Sequence, residues 1–212
     1  MLPTRYSSRW VVTRTATAWL LSLVIVIAPA EVFAQGDTRA AYEALPDAIV
    51  EGPAVSRLAV SLPLAAADRI VDTALALARE HQMLPLTVVV LDSGGHMVAV
   101  KREDGSGIFR IEVANAKAYG ALGMGVSTRL MGERLADRPV FAGSLTGLSE
   151  GRWVPVPGGV LIRDEQGRVI GSVGISGDTS DRDEYAAIRA VRAAGFFPEP
   201  LEPDPNWDGS HL

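Results

Sequence analysis

LTVVVLDSGGHMVAVKR, residues 86–102, decides the fold class. Two runs of β-branched and apolar residues flank DSGG, a cluster of turn formers, so the segment reads as a β-hairpin. Pro85 ends the helix before it. Strand alternation puts His96, Val98, Val100 and Arg102 on one face of the returning strand, with Met97, Ala99 and Lys101 on the other. His96 then stands at the rim of a face with an apolar centre. An imidazole in that position can hold a metal or haem iron, or carry protons near neutral pH. From these residues alone, a histidine that only follows a tight turn is the simpler reading.

Upstream, SLPLAAADRIVDTALALAREHQM (61–83) repeats apolar residues at Ala67, Ile70, Val71, Ala74, Leu77 and Ala78, the period of a helix with one buried face. Ser61 is the expected N-cap, and Pro63 suits the first turn. His81 falls in the last turn, where the helix dipole favours positive charge. Downstream, EDGSG is a loop. IFRIEVANAKAYGALGMG (108–125) has alanines at 114, 116, 118 and 121, which suit a helix packed closely on a sheet. STRLMGERLA (127–136) is a shorter helix capped by Ser127 or Thr128. Residues 137–157 lose all period and read as a loop of about twenty residues, a length that usually marks a functional or mobile segment.

GGVLIRD and RVIGSVGIS form a second hairpin, and GDTSDRDEYAAIRAVRAAG closes the domain as a helix. Ser180 is its expected cap, Asp181 and Asp183 lie in its first turn, and Gly195 is its stop. Residues 198–212, with His211, read as an irregular tail. Strands that arrive in adjacent pairs between helices favour an antiparallel sheet carrying helices, an α+β fold, over a doubly wound parallel one.

The N-terminus reads as an export signal. Arg5, Arg9 and Arg14 precede the apolar run AWLLSLVIVIAPA (18–30), and Val32 and Ala34 fit cleavage after Ala34. The run is shorter than the ~20 residues of a spanning helix. Residues 35–60 follow as a linker or arm, with one helical turn near Tyr42, and 61–197 as a single domain. Losing residues 1–34 removes three arginines and Glu31, which moves the formal charge from −5 to −7. An acidic domain without a basic cluster is a poor partner for nucleic acid or anionic membrane. Without cysteine, the exported protein relies on its core rather than on disulfides.

Few residues could carry chemistry. Lys117, within an alanine-rich helix, would be desolvated or paired with an anion, unless its chain reaches water. Glu112 is five residues away, whereas Val113 shares its helical stripe. Gly174, Gly177 and the start of the last helix could form a nest of N–H groups for a carboxylate or phosphate, although their spacing fits no phosphate-loop motif. The sequence gives no support for a metal cluster, a Ser-His-Asp arrangement or paired catalytic carboxylates.

DSGGHMVAVKREDG, ANAKAYGA and PGGVLIRDEQGRVIGSVGISGDTSDRDE, in that order, resemble the GlcG/HbpS family, which includes the C-terminal domain of PduO-type proteins and is associated with haem binding or degradation. The resemblance runs over roughly residues 62–194. It rests on Asp92, Gly94, Gly95, His96, Ala114, Lys117, Ala118, Gly158, Gly159, Gly171, Gly174, Ser176, Gly177 and Asp183. Leu161 stands near where the family usually has proline, and the 137–157 segment looks individual. The resemblance implies a profilin-like sandwich, an antiparallel sheet of about five strands with helices on its faces. It also implies a homo-oligomer and, as some members are, an exported protein, periplasmic or extracellular. His96, Lys117 and the Gly158–Gly159 turn would line its cleft, with Tyr119 and Ser176 around it, and the individual 137–157 segment would reshape the pocket with Trp153 as one wall.

Haem or a related tetrapyrrole is the ligand the resemblance favours. It needs an axial ligand, an apolar slot and cations for its propionates. His96, Met97, Lys117 and Tyr119 are the candidate ligands, with His96 first as the residue to hold iron. Arg102, Lys101 and Arg110 are the candidate cations. The alternative is an enzyme acting on a small organic acid or carbonyl compound, with His96 as acid/base and Lys117 as anion-binding or amine residue. A third reading is an oligomeric accessory protein without catalysis.

Overall fold

The computed structural model describes residues 59–209. The export signal, the arm up to residue 58 and His211 lie outside the described residues. Helix α1 (Leu64–Glu80) leads into strands β1 (Thr87–Asp92) and β2 (Met97–Arg102). Three helices follow: α2 (Arg110–Met124), α3 (Thr128–Leu135) and α4 (Pro139–Leu148). Strands β3 (Gly159–Arg163) and β4 (Val169–Ser176), helix α5 (Ser180–Ala193) and strand β5 (Phe197–Glu199) complete the order, with a short 3-10 turn at Trp207–Gly209. The five strands pair antiparallel in the order β2-β1-β4-β3-β5. The expected α+β sheet with helices on its faces is the observed fold.

Alternation along β1 shows how the sequence fills both faces. Val88 and Val90 join Val160, Ile162, Val173 and Ile175 beneath α1 and α5, in the larger core. Val89 and Leu91 face Ala114 and Ala118 of α2 in a smaller core. The second core is thin because α2 lies almost on the strands. A Cβ on Gly174 would collide with the Ala114 carbonyl oxygen, and one on Gly159 with the Lys117 carbonyl oxygen. Ser172 Oγ donates to the Ala118 carbonyl at 2.9 Å across the same contact. The alanines of α2 and the glycines of the second hairpin are thus one packing device, small residues on both sides of a helix–sheet seam.

Several expectations need correction. Residues 137–157 are no continuous loop, since α4 occupies Pro139–Leu148. None of its residues is buried, so no apolar stripe marked it in the sequence, and Pro139 at its start was the one helix signal present. The tail contributes strand β5, whose Pro198 and Phe197 pair with Ile162 and Arg163. The strict alternation expected for β2 fails at a bulge. Val90 pairs with Ala99 and Leu91 with Met97, leaving Val98 as the extra residue. Met97 therefore shares the face of Val100, opposite Val89, while Val98 packs partly with Ala99 on the other side.

Capping differs for α1 and α5, while Ser127 is at the N-cap of α3 as expected. Pro63, Ser127 and Thr179 hold the N-cap positions of α1, α3 and α5, without side-chain capping bonds. Ser61 Oγ accepts from Ser93 N at 3.0 Å instead, so it ties the hairpin turn to α1. Gly195 does follow α5 with φ +89°, the left-handed stop expected there. His81 sits at the C-cap of α1, its Nε2 3.0 Å from the Tyr185 hydroxyl. It meets Tyr185 and Trp207 edge-on, which makes it a packing residue.

Candidate functional site

The turn between β1 and β2 is built on Asp92. Its Oδ1 accepts from Gly94 N (2.8 Å) and His96 N (3.0 Å), and Gly95 takes φ +80° to close the turn. The same oxygen lies 3.5 Å from His96 Nδ1, and the imidazole is 83% exposed. Among the described residues no hydrogen bond reaches His96 Nε2. A carboxylate near Nδ1 and an open Nε2 resemble the setting in which histidine holds metals, although the 3.5 Å approach falls short of a hydrogen bond. Directly behind the turn stands Tyr119 of α2, whose ring edge would lie 3.1 Å from a Cβ on Gly95.

Lys117 belongs to a different place. It is 2% exposed, and its Nζ is 2.9 Å from Asp183 Oδ2 at the start of α5. Asp183 Oδ1 accepts from Asp178 N at 3.1 Å. Burial pushes the Asp183 carboxyl above its usual range, against the pull of the Lys117 ammonium and of Arg110. Gly158, at φ +114°, passes so close that a Cβ there would sit 2.7 Å from Lys117 Nζ. The glycine pair of the motif is thus explained by Lys117 and by the backbone of α2. Ser176 is buried beside this cluster and receives Arg110 Nη1 at 3.2 Å. As placed, Lys117 is committed to Asp183 and is no free amine or anion holder.

The structure therefore separates the residues that were expected to line one cleft. Strand pairing sets Gly174 opposite Gly159, at the level of Lys117, and Gly171 opposite Asp92 below the His96 turn. Three residues of strand divide the two levels, roughly 10 Å. The other candidate cations are also accounted for. Lys101 binds Asp72 on α1, and Arg102 donates to the Ser106 carbonyl at 3.3 Å.

What does gather behind the His96 turn is aromatic. The Arg152 guanidinium lies 4.4 Å from the centre of the Tyr119 ring, a cation on a π face. Trp153 is buried against Met131 and Leu135, and its Nε1 donates to Thr146 Oγ1 at 3.0 Å. Between α2 and α4 an open, mainly apolar cleft of about 190 Å³ is lined by Tyr119, Gly123, Leu145, Leu148 and Trp153 among others. His96, Tyr119 and Trp153 thus fall along one end of the molecule, and Lys117, Gly158, Gly159 and Ser176 form a buried cluster apart from it. Arg152 and the α4 leucines escaped the sequence reading, because their segment shows no period; the neighbouring Arg-Trp pair was the only signal. Among the described residues there is no cluster of His, Cys, Asp or Glu fit to hold a bare metal ion, and no helix long and apolar enough to cross a membrane.

Comparison with known proteins bears on this site. A family described as haem degrading protein HbpS-like matches residues 62–192. A Citrobacter freundii protein, the uncharacterized 15.0 kDa protein in the dhaT-dhaS intergenic region, is 29% identical over 138 residues. The match covers 64% of this chain and 94% of that protein. Among solved structures, the PduOC:haem complex is 25% identical with a TM-score of 0.57, covering 65% of this chain and 97% of the other. HbpS is 25% identical with a TM-score of 0.52, covering 68% and 94%. Klebsiella pneumoniae ORFY, 24% identical with a TM-score of 0.59 and covering 68% and 97%, shares the fold.

Proposed function

The chain belongs to the HbpS-like family, and on that premise we propose that it binds haem or a related tetrapyrrole with His96 as the iron ligand. One observation of this chain carries the reading: an exposed imidazole beside an anchored carboxylate, at the mouth of an aromatic end. Haem asks for an axial ligand, an apolar slot and a cation near its propionates. His96, the cleft by Trp153 and the Arg152 guanidinium match those three requirements. The bound group would supply the redox or ligand-binding chemistry of its iron. The protein's own part is to orient the imidazole through Asp92 and to cover the ring edge. A relative of the same fold solved with haem supports the choice of ligand.

The reading includes export, with cleavage near Ala34 and a mature protein acting in the periplasm or outside the cell. It also includes a homo-oligomer, for which Ile108 and Phe109, each 74% exposed, offer an apolar surface. The test is a haemin titration of the full chain. We expect a Soret band that rises to saturation and is lost or shifted in His96→Ala. A flat titration would overturn the proposal.

A further inference from the structure

We propose that the cleft between α2 and α4 seats the ring of the ligand, and that it takes a planar, largely apolar molecule carrying a carboxylate. This rests on the haem reading and adds where the macrocycle lies and which residues set its fit. Gly120 and Gly123, one turn apart on α2, face the cleft. A Cβ on Gly120 would stand 3.3 Å from the Trp153 Cβ, so Trp153 closes the cleft there. A Cβ on Gly123 would meet nothing within 4 Å. Glycine is unfavourable inside a helix, and no neighbour among the described residues requires it at position 123. An incoming ring would.

The opposite wall is Leu145 and Leu148 of α4. Leu148 is 81% exposed although it lines the cleft, and residues 139–149 carry no charged side chain. A ring lying in the cleft would cover Leu148. The lining residues include no acid, and Arg152 stands on Tyr119 at the cleft's edge. Its contact with Glu150, 3.4 Å between two exposed side chains, is of a kind that exchanges readily for another carboxylate. The volume of about 190 Å³ lies below the roughly 300–1,000 Å³ that enclose a whole small-molecule ligand. The cleft would hold one edge of a macrocycle, leaving the rest to extend past Tyr119 towards the His96 turn.

The experiment titrates the full-length wild type, His96→Ala, Gly123→Leu and Leu148→Glu with haemin and, separately, with metal-free protoporphyrin IX. Leucine at 123 fills the cleft and favours the helix, and circular dichroism checks the fold. Leu148→Glu alters an exposed position and decides the matter if the first variant misfolds. We expect both cleft variants to weaken either ligand about tenfold or more. His96→Ala should change haemin binding and leave protoporphyrin binding intact. If wild type binds haemin through His96 but the cleft variants bind both ligands like wild type, the ring seat is overturned and the haem reading stands. If wild type binds no haemin, both fall.

Discussion

Lys117 and Asp183 form a charged pair in a site that water does not reach, 2.9 Å apart and each almost wholly buried. Removing one member of such a pair leaves the other charge uncompensated, at a cost of about 3–5 kcal/mol. Lys117→Met should therefore lower the urea midpoint sharply. The double variant Lys117→Met/Asp183→Leu should recover much of the loss, because no lone charge remains. Equal loss in both would show that packing around Gly158, rather than charge, dominates the site. The prominence of this lysine in the sequence came from its surroundings, an alanine-rich helix, which left burial against an anion and a reach to water both open. They could not name Asp183, which lies 66 residues away, so the pair was legible only as a lysine in need of an anion. His96 was the reverse case. Its turn was plain from Asp92, Gly94 and Gly95, and its place at the rim of a sheet face suited the exposure it has.

Between elements, α3 and α5 meet through Arg129 and Glu184. Glu184 is fully buried, and Arg129 Nε approaches its Oε2 at 3.1 Å without the alignment of a hydrogen bond. Burial raises Glu184 to about 7, opposed by Arg129 and reinforced by Asp181, Glu199 and Asp204. The folded protein therefore holds this proton at pH values where the unfolded chain has released it. Stability from this group is complete below about pH 4.5 and falls as pH rises through about 7, by on the order of 3 kcal/mol at full extent. Denaturant midpoints between pH 5 and 8 should show the decline in wild type and a flatter profile in Glu184→Gln. Identical profiles would remove Glu184 as the cause. The elements themselves were legible where a buried face imposed a period, as in α1 and the two hairpins. Helix α4 was hidden because it buries none of its residues, and β5 because three residues around a proline carry no alternation.

At the scale of the whole molecule, motif residues fall into two groups. The glycines and alanines between Ala114 and Gly174 let α2 lie on the sheet, and Lys117 with Asp183 ties that seam to α5. They hold the fold together and leave one end, with the His96 turn, Tyr119, Arg152 and Trp153, to meet a ligand. The family resemblance implied one cleft for His96, Lys117, Gly158 and Gly159, and spacing along the chain cannot tell the two levels of a sheet apart. The division follows from strand register, which rests on the pairing of β1 and β3 with β4. The most direct test is a crystal structure of the full chain grown with haemin. We expect iron bonded to His96 Nε2, the ring edge between α2 and α4, and a propionate at Arg152. Iron held by another residue, or a ring bound beside Lys117, would contradict this.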